Sequence, residues 1–120
     1  MATLSDMKKY LGKGIDDYGG DVSPDYKSFE RKYKDFLSNK AKEVNGELIK
    51  FNPSHYEFSC FIKRNDRFVY ISISDVRYFK NGWYNNILIR TAQNEKDYHG
   101  GRNNYATLDN IGSFIVTLTD

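Results

Sequence analysis

The feature that most constrains this chain is a change of hydrophobic period at Asn45-Gly46. Before it, Tyr26, Phe29, Tyr33, Phe36, Leu37, Ala41 and Val44 recur three or four apart, which is the spacing of one helix face. From Glu47 onward apolar residues alternate with others, the period of a strand. A chain that switches in this way has to lay a helix against a sheet. We therefore expect an α+β fold: an antiparallel β-sheet of three to five strands with a long N-terminal-half helix packed on one face.

The helix has clear ends. Ser23 is a good cap, Pro24 loses no hydrogen bond at the first helical position, and Asp25 complements the positive end of the dipole. Asn45-Gly46 supplies residues that tolerate the left-handed conformation that closes a helix. The polar side carries Lys27, Arg31, Lys32, Lys34, Lys40 and Lys42 against Asp25, Glu30, Asp35 and Glu43. We read it as a solvated face with i,i+4 pairs rather than a ligand-binding patch.

In the alternating part, Glu47 to Asn52 forms a first strand broken by Pro53. Tyr56 to Arg64 and Arg67 to Ser74 form a hairpin about Asn65-Asp66. A two-residue loop fixes the register, pairing Arg64 with Arg67 beside the turn and then Ile62 with Val69, Cys60 with Ile71 and Phe58 with Ile73 on one apolar face. The opposite face then carries Glu57 with Ser74, Ser59 with Ser72, Phe61 with Tyr70 and Lys63 with Phe68.

The remaining segments are read more coarsely. Leu4, Met7 and Leu11 predict a short helix over 3–11, and the glycine-rich stretch 12–20 reads as a connector, since no strand precedes it and its spacing fits no phosphate loop. Asn81-Gly82 marks a turn beside Trp83, Asn86 to Thr91 reads as a buried strand, and Gln93 to Asn104 as a polar loop. Thr107 to Leu118 is ambiguous: Leu108, Ile111, Ile115 and Leu118 fit a helix, whereas Phe114-Ile-Val-Thr117 favours a strand. We favour the helix.

Composition limits function. At 120 residues, with 39% hydrophobic and 16% aromatic residues, residues 1–120 form a single domain with bulky side chains enough for a core. A net charge of +2 and a pI near 8.6 do not point to duplex DNA, whose binders usually exceed about 9. One cysteine, no secretory leader and no apolar run near the roughly 18 residues of a membrane span predict a cytoplasmic protein without a membrane partner.

Candidate chemistry is sparse. Alternation buries Cys60 between Phe58 and Ile62, which predicts an inert thiol. His55 and His99 read as surface histidines, and the carboxylates of Asp16-Asp17 and Asp97 are scattered. We expect no catalytic residues, no metal, no cofactor and no enzyme activity; an enzyme acting on nucleotide signals would need His55 or His99.

The outer sheet face is more informative. Phe61, Phe68 and Tyr70 cluster there with Lys63, and Arg77, Lys80 and Trp83 lie near in sequence, making these seven the candidate partner-binding residues. A terminal helix covering this face would make a second core layer. An open face would bind a protein, or stack the bases of single-stranded nucleic acid on Phe61, Phe68 and Tyr70.

The segment Asn85-Asn-Ile-Leu-Ile-Arg-Thr-Ala92, followed by Asp97-Tyr98 and Gly100-Gly101-x-Asn103-Asn104, resembles small phage or mobile-element proteins of low-GC bacteria, among them anti-CRISPR and other counter-defence proteins. The Lys to Arg ratio of 12 to 6, with abundant Asn, Tyr and Ile, fits an AT-rich coding sequence of that kind. The resemblance implies a non-enzymatic inhibitor acting in the host cytoplasm. Its partner would be a bacterial defence protein, most concretely a CRISPR effector nuclease, whose surface it occupies. The alternative is a single-stranded nucleic-acid binding module using the aromatic sheet face.

Overall fold

The computed structural model describes residues 24–54, 57–73 and 87–120. The helix expected over 3–11, the connector 12–20, His55 and the turn at Asn81-Gly82 lie outside the described residues, as do Arg77, Lys80 and Trp83.

Helix α1 spans Pro24–Glu43 and the strands are β1 Glu47–Ser54, β2 Glu57–Arg64, β3 Arg67–Ile73, β4 Ile87–Ala92 and β5 Asn104–Ala106, followed by helix α2 Ile111–Thr119. The strands form one antiparallel sheet in the order β1-β2-β3-β4-β5. Both helices pack on its inner face, so the expected α+β architecture is the observed one.

The end of α1 follows from its last residues. The Gly46 N–H donates to the Ala41 carbonyl at 2.7 Å and the Asn45 N–H to the Lys42 carbonyl at 3.1 Å, the paired bonds of a Schellman closure. Asn45, at φ 64°, takes the left-handed position. Gly46 serves a different need, because a Cβ there would come within 3.1 Å of the Lys63 carbonyl on β2.

The hairpin turns on Asn65 at φ 55° and Asp66 at φ 60°, a type I′ pair whose twist matches that of the strands. Every pair from Phe58 with Ile73 to Arg64 with Arg67 has the register read from the sequence. Strand β1 runs through Pro53, which pairs with Phe58, instead of stopping before it. As an edge strand it has one side on which no N–H is needed. Its register shifts between Leu48 and Lys50, a bulge that returns Lys50 to the outer face and Phe51 to the inner one.

The inner core joins Tyr33, Phe36, Leu37 and Ala41 of α1 to Phe58, Cys60, Ile62, Val69, Ile71, Ile87 and Ile89 of the sheet. Tyr33 stacks on Phe58 at 5.6 Å between ring centroids, and Phe51 tilts against Phe58 at 5.8 Å. Cys60 is fully buried here, and burial pushes its thiol well above the ordinary value. Over 107–118 the chain is helical from Ile111. Thr107 Oγ1 accepts the Asp109 and Asn110 N–H groups at 3.2 and 3.1 Å, forming the lead-in turn, and Ile111, Ile115 and Thr119 are buried at intervals of four. Burial along one helical face outweighs the β preference of Phe114-Ile-Val-Thr117.

Arg64, beside the hairpin turn, ties the two helices to it. Its Nε donates to the Val44 carbonyl at 2.6 Å, and its Nη1 donates to Thr119 Oγ1 at 3.2 Å and to Asp120 Oδ1 at 2.7 Å.

The turn gives a test of this scheme. Asp66→Gly relieves a non-glycine left-handed residue and should raise stability by up to about 1 kcal/mol, whereas Asp66→Val should lower it by about 1–2 kcal/mol. Urea midpoints at unchanged slope measure both.

Candidate functional site

Antiparallel pairing sets Lys50, Phe61, Tyr70 and Arg90 in one row across the outer face, from β1 to β4, with Lys63, Phe68 and Ala92 in the next. Phe61 and Tyr70 approach at 5.3 Å between centroids. The row is covered by the loop between β4 and β5. Tyr98 stands edge-on against Phe61 at 5.1 Å and Tyr70 at 5.7 Å, leaving them 0% and 7% exposed.

Three cationic or polar side chains hold this cover. Arg90 lies over the Tyr70 ring at 5.0 Å, donates from Nη2 to the Tyr98 carbonyl at 2.6 Å and from Nη1 to Asn103 Oδ1 at 3.2 Å. Lys50 Nζ sits over the Tyr98 ring at 5.5 Å, and Asn52 Nδ2 donates to the Tyr98 hydroxyl at 3.4 Å.

The loop is shaped around one carboxylate. Asp97 accepts the N–H groups of Gln93 at 2.9 Å, Gly100 at 2.8 Å and His99 at 3.4 Å. The Gln93 N–H, then that of Gly100, hold its carboxyl below the usual range, with His99 and the Arg90 charge adding to them against partial desolvation. Gly101, at φ 78°, has no room for a Cβ, which would collide with the Thr91 carbonyl.

The candidate residues are therefore divided by the fold. Phe61 and Tyr70 do not reach the surface, because Tyr98 occupies the space above them. The C-terminal helix does not supply this cover; it packs on the inner face. Phe68 and Lys63 stay at the margin, with Lys63 Nζ over the Phe68 ring at 5.7 Å. Phe68 lines a groove of about 240 Å³ shared with Ala92 and Leu118 and with the polar residues Asp66, Arg67, Thr91 and Gln93. Tyr105, on the outer side of β5 beside Leu88, is 58% exposed.

The sequence reading missed Lys50, Arg90, Tyr98 and Tyr105. Arg90 carried a signal: an arginine within an alternating apolar strand needs partners if its row is covered. Asp97 followed by Gly100-Gly101 carried another, the pattern of a carboxylate-centred turn. His99 is exposed, and no group of three or more metal-ligating side chains exists among the described residues. No helix among the described residues is long and apolar enough to cross a membrane. No family model, curated protein or solved structure matches the chain.

Two outcomes test the cover. Tyr98→Ala should cost about 2 kcal/mol and expose Phe61 and Tyr70, read as a gain in binding of an apolar dye. Because the folded Asp97 is the more acidic form, its anchoring is complete above the unfolded value near 3.9 and is lost as pH falls through the lower folded value. Tyr98 ring resonances should hold from pH 7 to 5 and shift only below about pH 4.

Proposed function

We propose that the protein is a non-enzymatic binding protein that inhibits a bacterial defence nuclease by occupying a protein surface, with a CRISPR effector as the first target to examine. The observation that carries this reading is the groove at Phe68. It is a small open groove in which Phe68, Ala92 and Leu118 form the apolar part and Asp66, Arg67, Thr91 and Gln93 the polar part, with the Lys63 ammonium over the Phe68 ring. Aromatic and arginine side chains around a small pocket are the usual carriers of binding energy at protein interfaces. The groove is held on regular strands and a helix terminus, so little ordering entropy opposes binding.

The Asn-rich loop next to it supports the same reading, as does its resemblance to counter-defence proteins. Base stacking across Phe61, Phe68 and Tyr70 is the weaker reading, since two of those rings lie beneath Tyr98.

Plasmid-interference assays in cells carrying different CRISPR effectors give the test. The wild-type chain should restore plasmid uptake against at least one effector. Phe68→Ala with Arg67→Glu should weaken the complex by about 2 kcal/mol, roughly thirtyfold, and abolish protection while circular dichroism stays unchanged. Unimpaired interference across all effector types would sink the proposal.

A further inference from the structure

We propose that the solvent face of α1 is a second binding surface, for the phosphate backbone of a single nucleic-acid strand. Tyr33, Phe36, Leu37 and Ala41 point α1 into the core, which turns Lys27, Arg31, Lys34 and Lys42 outward, and all four are exposed. At 100° per residue these four fall within about 80° of one another, with Ser38 among them. From Lys27 to Lys42 the stripe rises about 22 Å along the helix, at 1.5 Å per residue. Phosphates follow one another every 3.4 Å along a stacked strand, so the stripe spans six or seven of them.

The surroundings select the partner. Glu30 and Asp35, both half-buried, lie on the two sides of the stripe, and the exposed Lys32 stands apart from it, beyond Asp35. A single row tracks one strand; a duplex presents two. The Lys34 ammonium is steadied over the Phe51 ring at 5.9 Å, which fixes one cation of the row against the sheet edge. Among the described residues no aromatic ring shares the stripe, so contact is with phosphates and without base preference. This face lies on the opposite side of the sheet from the outer row of Phe61 and Tyr70, and the inference goes beyond the inhibitor reading without resting on it.

The full 120-residue chain is titrated against a fluorescent single-stranded 20-mer of mixed sequence by anisotropy, between 50 and 300 mM salt. Binding should weaken with salt at a log–log slope of about −3, as four phosphate contacts require. Lys27→Gln, Arg31→Gln, Lys34→Gln and Lys42→Gln together should cut affinity at least tenfold at 50 mM salt and flatten the slope. Lys27→Arg with Lys34→Arg and Lys42→Arg should retain both. The Phe68→Ala, Arg67→Glu variant should bind the 20-mer as the wild type does. No binding at 50 mM salt overturns the proposal, as does binding that survives the four Gln substitutions. Preference for duplex, or for anionic lipid vesicles over the 20-mer, overturns it equally.

Discussion

The constraint on which the rest of the structure depends is the two-residue turn at Asn65-Asp66. With both residues left-handed there is no slack in the loop, so each residue of β2 has one partner on β3. Parity then sorts side chains irrevocably. A slip of one residue would turn Phe61 and Tyr70 toward the helices and Cys60, Ile62, Val69 and Ile71 toward solvent, exchanging a dry core for a polar one. Arg64, one residue before the turn, extends the same control to the helices through the Val44 carbonyl and the Thr119 hydroxyl. The turn thus sets register, sidedness and the positions of both helix ends.

Parity also creates a problem. It leaves two large rings, Phe61 and Tyr70, on the face that no described helix covers. Left open, they would form an apolar patch on a twisted sheet. The loop between β4 and β5 resolves it with a third ring: Tyr98 fills the space above them, and Arg90 spans the Tyr70 face and the loop backbone. Arg90 Nε is buried with no hydrogen-bond partner among the described residues. The cost of that one group is offset by the ring contact and by two hydrogen bonds from the other guanidinium nitrogens. A loop covers less than a helix layer would, so Phe68 and Tyr105 stay at the margins of the covered row.

Local periodicity made the fold legible from α1 through the hairpin. The apolar stripe from Tyr33 to Val44, the Asn45-Gly46 stop and the Asn65-Asp66 turn each report a structure formed within a few residues of themselves. The same local rule failed where the deciding partner lies far away. Pro53 ends a strand only if its neighbours on both sides demand an N–H, and at a sheet edge one side does not. The bulge before Lys50 leaves no local mark. Whether Phe61 and Tyr70 would be open depended on Tyr98, 37 and 28 positions along the chain, held by a carboxylate turn whose direction alternation cannot report. The candidate site was therefore half legible: the outer face and the membership of Lys63 and Phe68 came from register, but their isolation at a groove came from the loop.

Charge was hidden by averaging in a similar way. A net +2 over the chain describes a nearly neutral protein, and residues 24–46 alone hold six bases against four acids. Neither number says which cations share a surface. Lys40 leaves the solvent row to sit over the Phe36 ring at 5.5 Å and to meet Glu43 at 3.4 Å, so it adds little to the exposed field. The fixed direction of Tyr33, Phe36, Leu37 and Ala41 decides which side chains remain outside. Because burial of that apolar side supplies most of what holds α1 in place, its outer residues contribute little to folding, and their charge is free to vary with what the surface meets. A concentration of one sign there, in a chain whose total is near balance, is a property of the surface rather than a requirement of the fold.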